Sequence, residues 1–177
     1  MGIRDILRIG HPALRRCAVE VPDDWFGSQR LEQLIDDLFD TKLARSGAGL
    51  AAPQIDEPWR VFVVGMGHNP RYPDADPLPE RVVINPIIKS IGDELIYGWE
   101  SCLSVPSMRG KVRRWKHIQL KWQDREGSFH TEELQDFHAR VVQHEKDHLD
   151  GVLFPDRLTC QLAFGFTDEL QAHGRIP

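Results

Sequence analysis

After Ser28, apolar residues recur at Leu31, Leu34, Ile35, Leu38 and Phe39. Steps of three and four place them on one face, so the pattern predicts an amphipathic helix that opens near Ser28 and ends by Gly47. A Gly- and Ala-rich loop follows, Gly47-Ala-Gly-Leu-Ala-Ala-Pro-Gln54, and then Arg60-Val-Phe-Val-Val-Gly65, an unbroken run suited to a buried strand. Residues 67–80 hold Pro70, Pro73, Pro77 and Pro79 without any period, which reads as a surface loop. A second β region covers 81–91, and the alternation of Ile118, Leu120 and Trp122 predicts a half-buried strand. Glu126-Gly127 is a turn into a partner strand near 129–134, so these two strands read as a hairpin. From Asp136, a candidate N-cap, to Leu149 the period becomes helical again, and Gly151 stands where a terminal glycine would close the helix. A short helix is expected after Thr167. No repeat and no low-complexity segment interrupts this order.

Strands bracketed by an early and a late helix predict an α+β fold. The expected arrangement is mixed or antiparallel sheets packed around the second helix, with the first helix near the N-terminus. At 177 residues the chain suits one domain spanning 1–177. Its 41% hydrophobic and 28% charged residues are ordinary for a globular protein and unlike a disordered or fibrous one. No stretch approaches the roughly 20 apolar residues of a membrane helix. Neither a membrane nor DNA is an expected partner, since a net charge of −5 and a pI near 5.9 lack a nucleic-acid binder's basic footprint. A monomer is expected. Three cysteines cannot complete a disulfide framework, and residues 1–6 lack the features of a secretory signal, so a reducing cytosol is the expected compartment. The Met-Gly start does not extend to a myristoylation motif, because position 6 is Ile.

Against this plain background one segment carries chemistry. His144-Glu145-Lys146-Asp147-His148 fits H-E-x-x-H on a predicted helix, where histidines at i and i+4 converge on one metal ion and the intervening glutamate is placed to handle a proton. Phe137, Val141, His144 and His148 share one stripe, so both imidazoles are expected to head into the interior, where they need a partner. The other histidines, at 11, 68, 117, 130, 138 and 173, are read as structural or solvated. Two histidines leave the third ligand open. An extended pattern with a third histidine at 154 fails, because that position is Phe. Asp168 or Glu169 would make a zinc endopeptidase, and Cys102 would supply a thiolate.

Cys102 lies in Glu100-Ser101-Cys102-Leu103-Ser104-Val105-Pro106. With this segment, Gly47-Ala-Gly-Leu-Ala-Ala-Pro-Gln54 and Gln143-His-Glu-Lys-Asp-His-Leu-Asp-Gly151, the chain resembles the peptide deformylase family at its three motifs, G-x-G-φ-A-A-x-Q, E-G-C-L-S and Q-H-E-x-D-H-L-x-G, in the family's order. The opening Ile6-Leu-Arg-Ile-Gly-His-Pro-Ala-Leu14 is also similar, so the likeness covers most of the chain. The resemblance implies that Cys102, His144 and His148 hold one divalent metal, commonly Fe²⁺, with Zn²⁺, Ni²⁺ or Co²⁺ also accepted. It further implies hydrolysis of the formyl group from the N-formyl-methionine end of new polypeptides, with release of formate. Metal-bound water would attack the formyl carbon, Glu145 would act as general base and acid, and the Gln54 side chain with the Leu103 N–H would hold the oxyanion. Phe137 and Val141 would line the methionine pocket, Gly49 would admit the peptide backbone, and Arg109 would border the groove. Ser101 departs from the motif's glycine, which bears on backbone strain and on room in the groove.

Other signals carry less. Gly47-Ala-Gly-Leu-Ala-Ala52 fits a relaxed dinucleotide fingerprint but follows a helix and runs into Pro53. Arg109, Lys111, Arg113, Arg114 and Lys116 form a basic run, read first as a solvated strand surface and second as attraction to ribosomal RNA or acidic peptides. A transient ribosome contact is thus the remaining partner expectation, which the acidic-leaning Thr167-Asp-Glu-Leu170 does not help. Cys17 and Cys160 are read as small packing side chains. Ser101 also leaves open a non-catalytic protein that keeps the metal as a clip.

Overall fold

The computed structural model describes residues 2–67 and 76–176. In chain order the elements are α1 (Gln29–Ala44), β1 (Gly49–Ala51), β2 (Val61–Met66), β3 (Leu78–Ser90), β4 (Leu95–Cys102), β5 (Val105–Trp115), β6 (His117–Gln123), β7 (Phe129–Gln135), α2 (Asp136–Leu149), β8 (Phe164–Phe166) and α3 (Thr167–Ala172). Two antiparallel sheets result, one in the order β1-β2-β3-β6-β7 and one in the order β4-β5-β8. The fold is α+β, as the pattern predicts.

Why the chain takes this form is clearest at β2, whose six residues are all buried. Val61 and Val63 point to one face of the larger sheet, where they meet Leu31, Leu34, Ile35 and Leu38 of α1. Phe62, Val64 and Met66 point to the other, against Ala139, Val141, Val142 and Leu149 of α2. A strand covered by helices on both sides needs no polar alternation, which explains the unbroken run. Ser28 caps α1 by accepting from the Leu31 N–H at 3.2 Å, and Gly151, at φ +72°, closes the end of α2 where a Cβ would fall 2.7 Å from the Arg15 carbonyl oxygen. Helix α2 contacts β1, β2, β3, β6 and β7 of the larger sheet and β5 of the smaller one. Gln143 fastens it there, donating to the Trp115 carbonyl at 2.8 Å and accepting from the Trp115 N–H at 3.0 Å.

Several expectations change. Asp136 is the first residue of α2 rather than its cap; Gln135 precedes the helix without a side-chain cap bond. Asp136 instead makes the strand-to-helix corner at φ +49°, its N–H held by the Lys116 carbonyl, a left-handed conformation that Asp tolerates better than most residues. Of the loop expected over 67–80, residues 68–75, His68 included, lie outside the described residues, and Leu78, Pro79 and Glu80 already belong to β3. Cys17 and Cys160 are exposed rather than packed, because each sits in an irregular surface segment. The basic run is not a uniformly solvated face. Lys111 and Arg113 are exposed, but Arg114 is 3% exposed, because β5 alternates over 110–114 and turns Gly110, Val112 and Arg114 inward.

Candidate metal centre and its cavity

The smaller sheet brings Cys102 at the end of β4 against the two histidines of α2. Ligand atoms of Cys102, His144 and His148 all lie within 4.8 Å of one another. The His148 Nε2 is 3.3 Å from the Cys102 sulfur. The His144 Nδ1 is 2.8 Å from Glu100 Oε2, which leaves its Nε2 free to face the same point. One thiolate and two imidazoles, buried and convergent, suit a divalent transition metal. No other group of this kind occurs among the described residues. Asp168 and Glu169 are exposed in α3 and are not part of it.

Beside this cluster Glu145 is 4% exposed, and its Oε2 has no hydrogen-bond partner among the described residues. Burial pushes its carboxyl up to about 7. Gly49 makes room for it, since a Cβ there would fall 2.4 Å from Glu145 Oε1. The missing side chain at position 49 is therefore taken up by the glutamate. Gln54 is oriented at both ends of its amide: Oε1 accepts from the Ala51 N–H at 2.9 Å, and Nε2 faces Ser104 Oγ at 3.1 Å and the Cys102 sulfur at 3.6 Å.

A cavity of about 170 Å³ opens next to these groups. Gly49, Gln54, Cys102, Leu103, Phe137, Val141, His144 and Glu145 all contribute to its wall. It is smaller than the roughly 300–1,000 Å³ of sites that enclose a whole small molecule, which suits one inserted side chain. Arg109 borders a neighbouring cavity with Ser101, Cys102 and Leu103. His148 lies behind the wall at 1% exposure. Ser101 reaches both cavities, and the pairing of β4 with β5 shifts register just after it, but its backbone is extended strand paired with Arg109 and is absent from the residues at positive φ, so no left-handed strain attends the serine.

What the sequence left unseen is the charge behind the ligands. Glu100 accepts from Arg114 Nε at 2.9 Å and Nη2 at 2.8 Å, from Arg140 Nη1 at 2.9 Å, and pairs with His144. Burial raises its carboxyl, but the Arg114 and His144 bonds outweigh this and hold it well below the usual range. Arg114 also pairs with Asp147, which Arg157 grips from the outer side. Burial disfavours charge on both ring histidines. Cys102 and Glu100 nevertheless hold His144 well above its ordinary value, whereas His148, facing His144, is held well below. In the sequence Glu100 stands two residues before Cys102, Arg114 lies in the basic run, Arg140 precedes His144 by one turn and Asp147 precedes His148 by one residue, but nothing in these spacings pairs them.

The profile of the polypeptide deformylases matches residues 3–162. The chain belongs to the peptide deformylase family. It is 51% identical to peptide deformylase 1 of Prochlorococcus marinus over 99% of this chain and 91% of that relative. It is 46% identical to peptide deformylase 2 of Pseudomonas putida over 95% of this chain and 94% of the relative. Among solved structures, the class I type b peptide deformylase of Acinetobacter baumannii with Met-Ala-Ser bound superimposes with a TM-score of 0.86 at 39% identity, covering 89% of this chain and 99% of that one. The peptide deformylase of Thermotoga maritima gives 0.77 at 36% identity over 90% of this chain and all of that one. Within a peptide deformylase fold, a helix long and apolar enough to cross a membrane is absent among the described residues.

Proposed function

We propose that the chain, acting as one catalytic domain over 1–177, hydrolyses the N-formyl group from formyl-methionyl ends of new polypeptides and releases formate. The observation that carries this reading is the convergence of Cys102, His144 and His148 beside a buried glutamate with an unpartnered oxygen. Cys102, His144 and His148 would hold the divalent ion, Fe²⁺ by preference, with Zn²⁺, Ni²⁺ or Co²⁺ accommodated by the same donors. When bound, such an ion supplies Lewis acidity that lowers the pKa of water from 15.7 toward roughly 7.

The chain's own residues do the rest. Glu145 Oε2, for which no donor occurs among the described residues, takes the proton of the attacking water and returns it to the departing amine, and its burial, which raises the carboxyl in the metal-free chain, favours holding that proton. Gln54 Nε2, fixed by the Ala51 bond at the opposite end of its amide, donates to the formyl oxygen as that oxygen gains charge. The Leu103 N–H, in the turn that follows Cys102, is the second donor. Phe137 and Val141 form the apolar wall for the methionine side chain, Gly49 offers its backbone to the peptide at the cavity's edge, and Arg109 borders the peptide's onward course. The relative crystallised with Met-Ala-Ser carries a peptide of the matching kind. Monomeric action in the cytosol, with transient ribosome contact through the exposed Lys111 and Arg113, completes the reading.

Formate release from a formyl-Met peptide by iron- or nickel-loaded protein tests it. Wild type should turn over, and Glu145→Gln should lose about 100- to 10,000-fold. Absence of release from the loaded wild type overturns the assignment.

A further inference from the structure

Arg140 lines the cavity, as does its partner Glu100, and it is the one arginine or lysine in the wall. It projects from α2 one turn before His144, with its side chain 10% exposed. Its Nη1 donates to Glu100 Oε1 at 2.9 Å and its Nη2 to the Ile96 carbonyl at 3.3 Å, so the guanidinium lies along the inner face of β4. Gly98 permits this. A Cβ at position 98 would stand 2.8 Å from both Cζ and Nη2 of Arg140. The space is thus kept for the guanidinium and not for backbone freedom, because Gly98 is not at positive φ.

Glu100 has two donors on each oxygen. Arg114 and Arg140 share Oε1, while Arg114 and His144 share Oε2. Arg114 is sealed in the interior and further held by Asp147. Of the two arginines, Arg140 is the one that also faces this cavity. An apolar side chain entering there expels water from beside the guanidinium, and an ion pair strengthens as water leaves. A tighter Arg140–Glu100 contact fixes the plane of the carboxylate, and that plane aims Oε2 at His144 Nδ1. The ring orientation of a histidine ligand follows from just such a bond.

We propose that Arg140 is a positioning residue that links occupancy of the side-chain cavity to the orientation of His144, through Glu100. The link rests on the deformylase reading for its substrate. It makes methionine recognition contribute to the chemical step as well as to binding, which is how remote binding energy raises kcat.

Three substitutions and two measurements test this. Arg140→Met keeps the stem and removes the guanidinium, Gly98→Ala displaces the guanidinium without touching position 140, and Arg140→Lys keeps a donor for Glu100. With nickel-loaded protein, Arg140→Met and Gly98→Ala should each lower kcat on a formyl-Met peptide by about tenfold while KM moves less than about threefold. Their advantage for formyl-Met over formyl-Ala peptides should narrow, and Arg140→Lys should recover most of it. Independently, in zinc-loaded protein the His144 Nδ1–H resonance should shift when Met-Ala-Ser is added to wild type and Arg140→Lys. It should stay nearly still in the other two. A rise in KM alone, or a His144 shift in Arg140→Met equal to that of wild type, overturns the link. Loss of turnover in wild type would strike the deformylase reading instead, and the resonance measurement, which needs no turnover, would still decide for or against Arg140.

Discussion

Glu145 meets opposed requirements at one carboxyl group. Its chemistry calls for an acceptor that can also release a proton, while its burial resists the negative charge and pushes the carboxyl from 4.5 to about 7. Below pH about 4.5 the group is neutral in the folded and unfolded chain alike, and it costs the fold nothing. As pH rises to about 7 the unfolded chain releases its proton first, so stability falls across that window and stays lower above it. The shift corresponds to about 3 kcal/mol when complete. Metal-free Glu145→Gln should therefore melt higher than metal-free wild type at about pH 8 and close to it at about pH 4.5. Melting curves of the two proteins at both values check this, and an equal difference at both would show that the gain comes from packing rather than charge. The neighbouring Gly49 shows the same economy of space, since its absent side chain is where Glu145 lies.

Helix α2 and the β4–β5 hairpin are the elements that build the site, and they were unequally legible. The H-E-x-x-H spacing and its apolar stripe marked α2 from sequence alone, because a helix with one buried face repeats its pattern over several turns. The β4–β5 hairpin hid its period. Its inward positions include Glu100 and Arg114 as well as Cys102 and Val112, so buried and exposed residues cannot be separated by polarity. The inner charges satisfy one another across elements: Arg114 of β5 joins Glu100 of β4 to Asp147 of α2. Such a pairing depends on residues distant in sequence, and no local pattern records it. Removing one member leaves uncompensated buried charge, which typically costs about 3–5 kcal/mol. Arg114→Met should thus destabilise the protein by about that amount in urea unfolding. Arg113→Met, one position along on the exposed side of the same strand, should change it by less than about 0.5 kcal/mol. Equal effects would show that the interior pairing adds nothing.

At the scale of the molecule, the larger sheet is clad by α1 and α2, while the smaller sheet leans on α2 and packs its own modest core of Cys102, Val105, Val112 and Phe154. The first of these layers follows from sequence, since β2 and both helices are continuous patterns. The second does not, since its short β8 pairs only Phe164, Gly165 and Phe166 with β5. Cys102 belongs to the weaker layer, and His144 and His148 to the helix shared with the stronger one. A cation gripping all three ligands would bridge the layers and favour the folded state over the unfolded one. At a free concentration 100 times its dissociation constant, binding adds about 2.7 kcal/mol, or roughly 5–10 °C in melting temperature for a chain of this length. Wild type titrated with Zn²⁺ or Ni²⁺ should show that rise, Cys102→Ser should lose most of it, and Asp168→Ala should keep it. Cys102→Ser must first be compared metal-free with wild type, so that lost core packing is subtracted. A rise that survives in Cys102→Ser and disappears in Asp168→Ala would move the third ligand to α3 and remove the link between the layers.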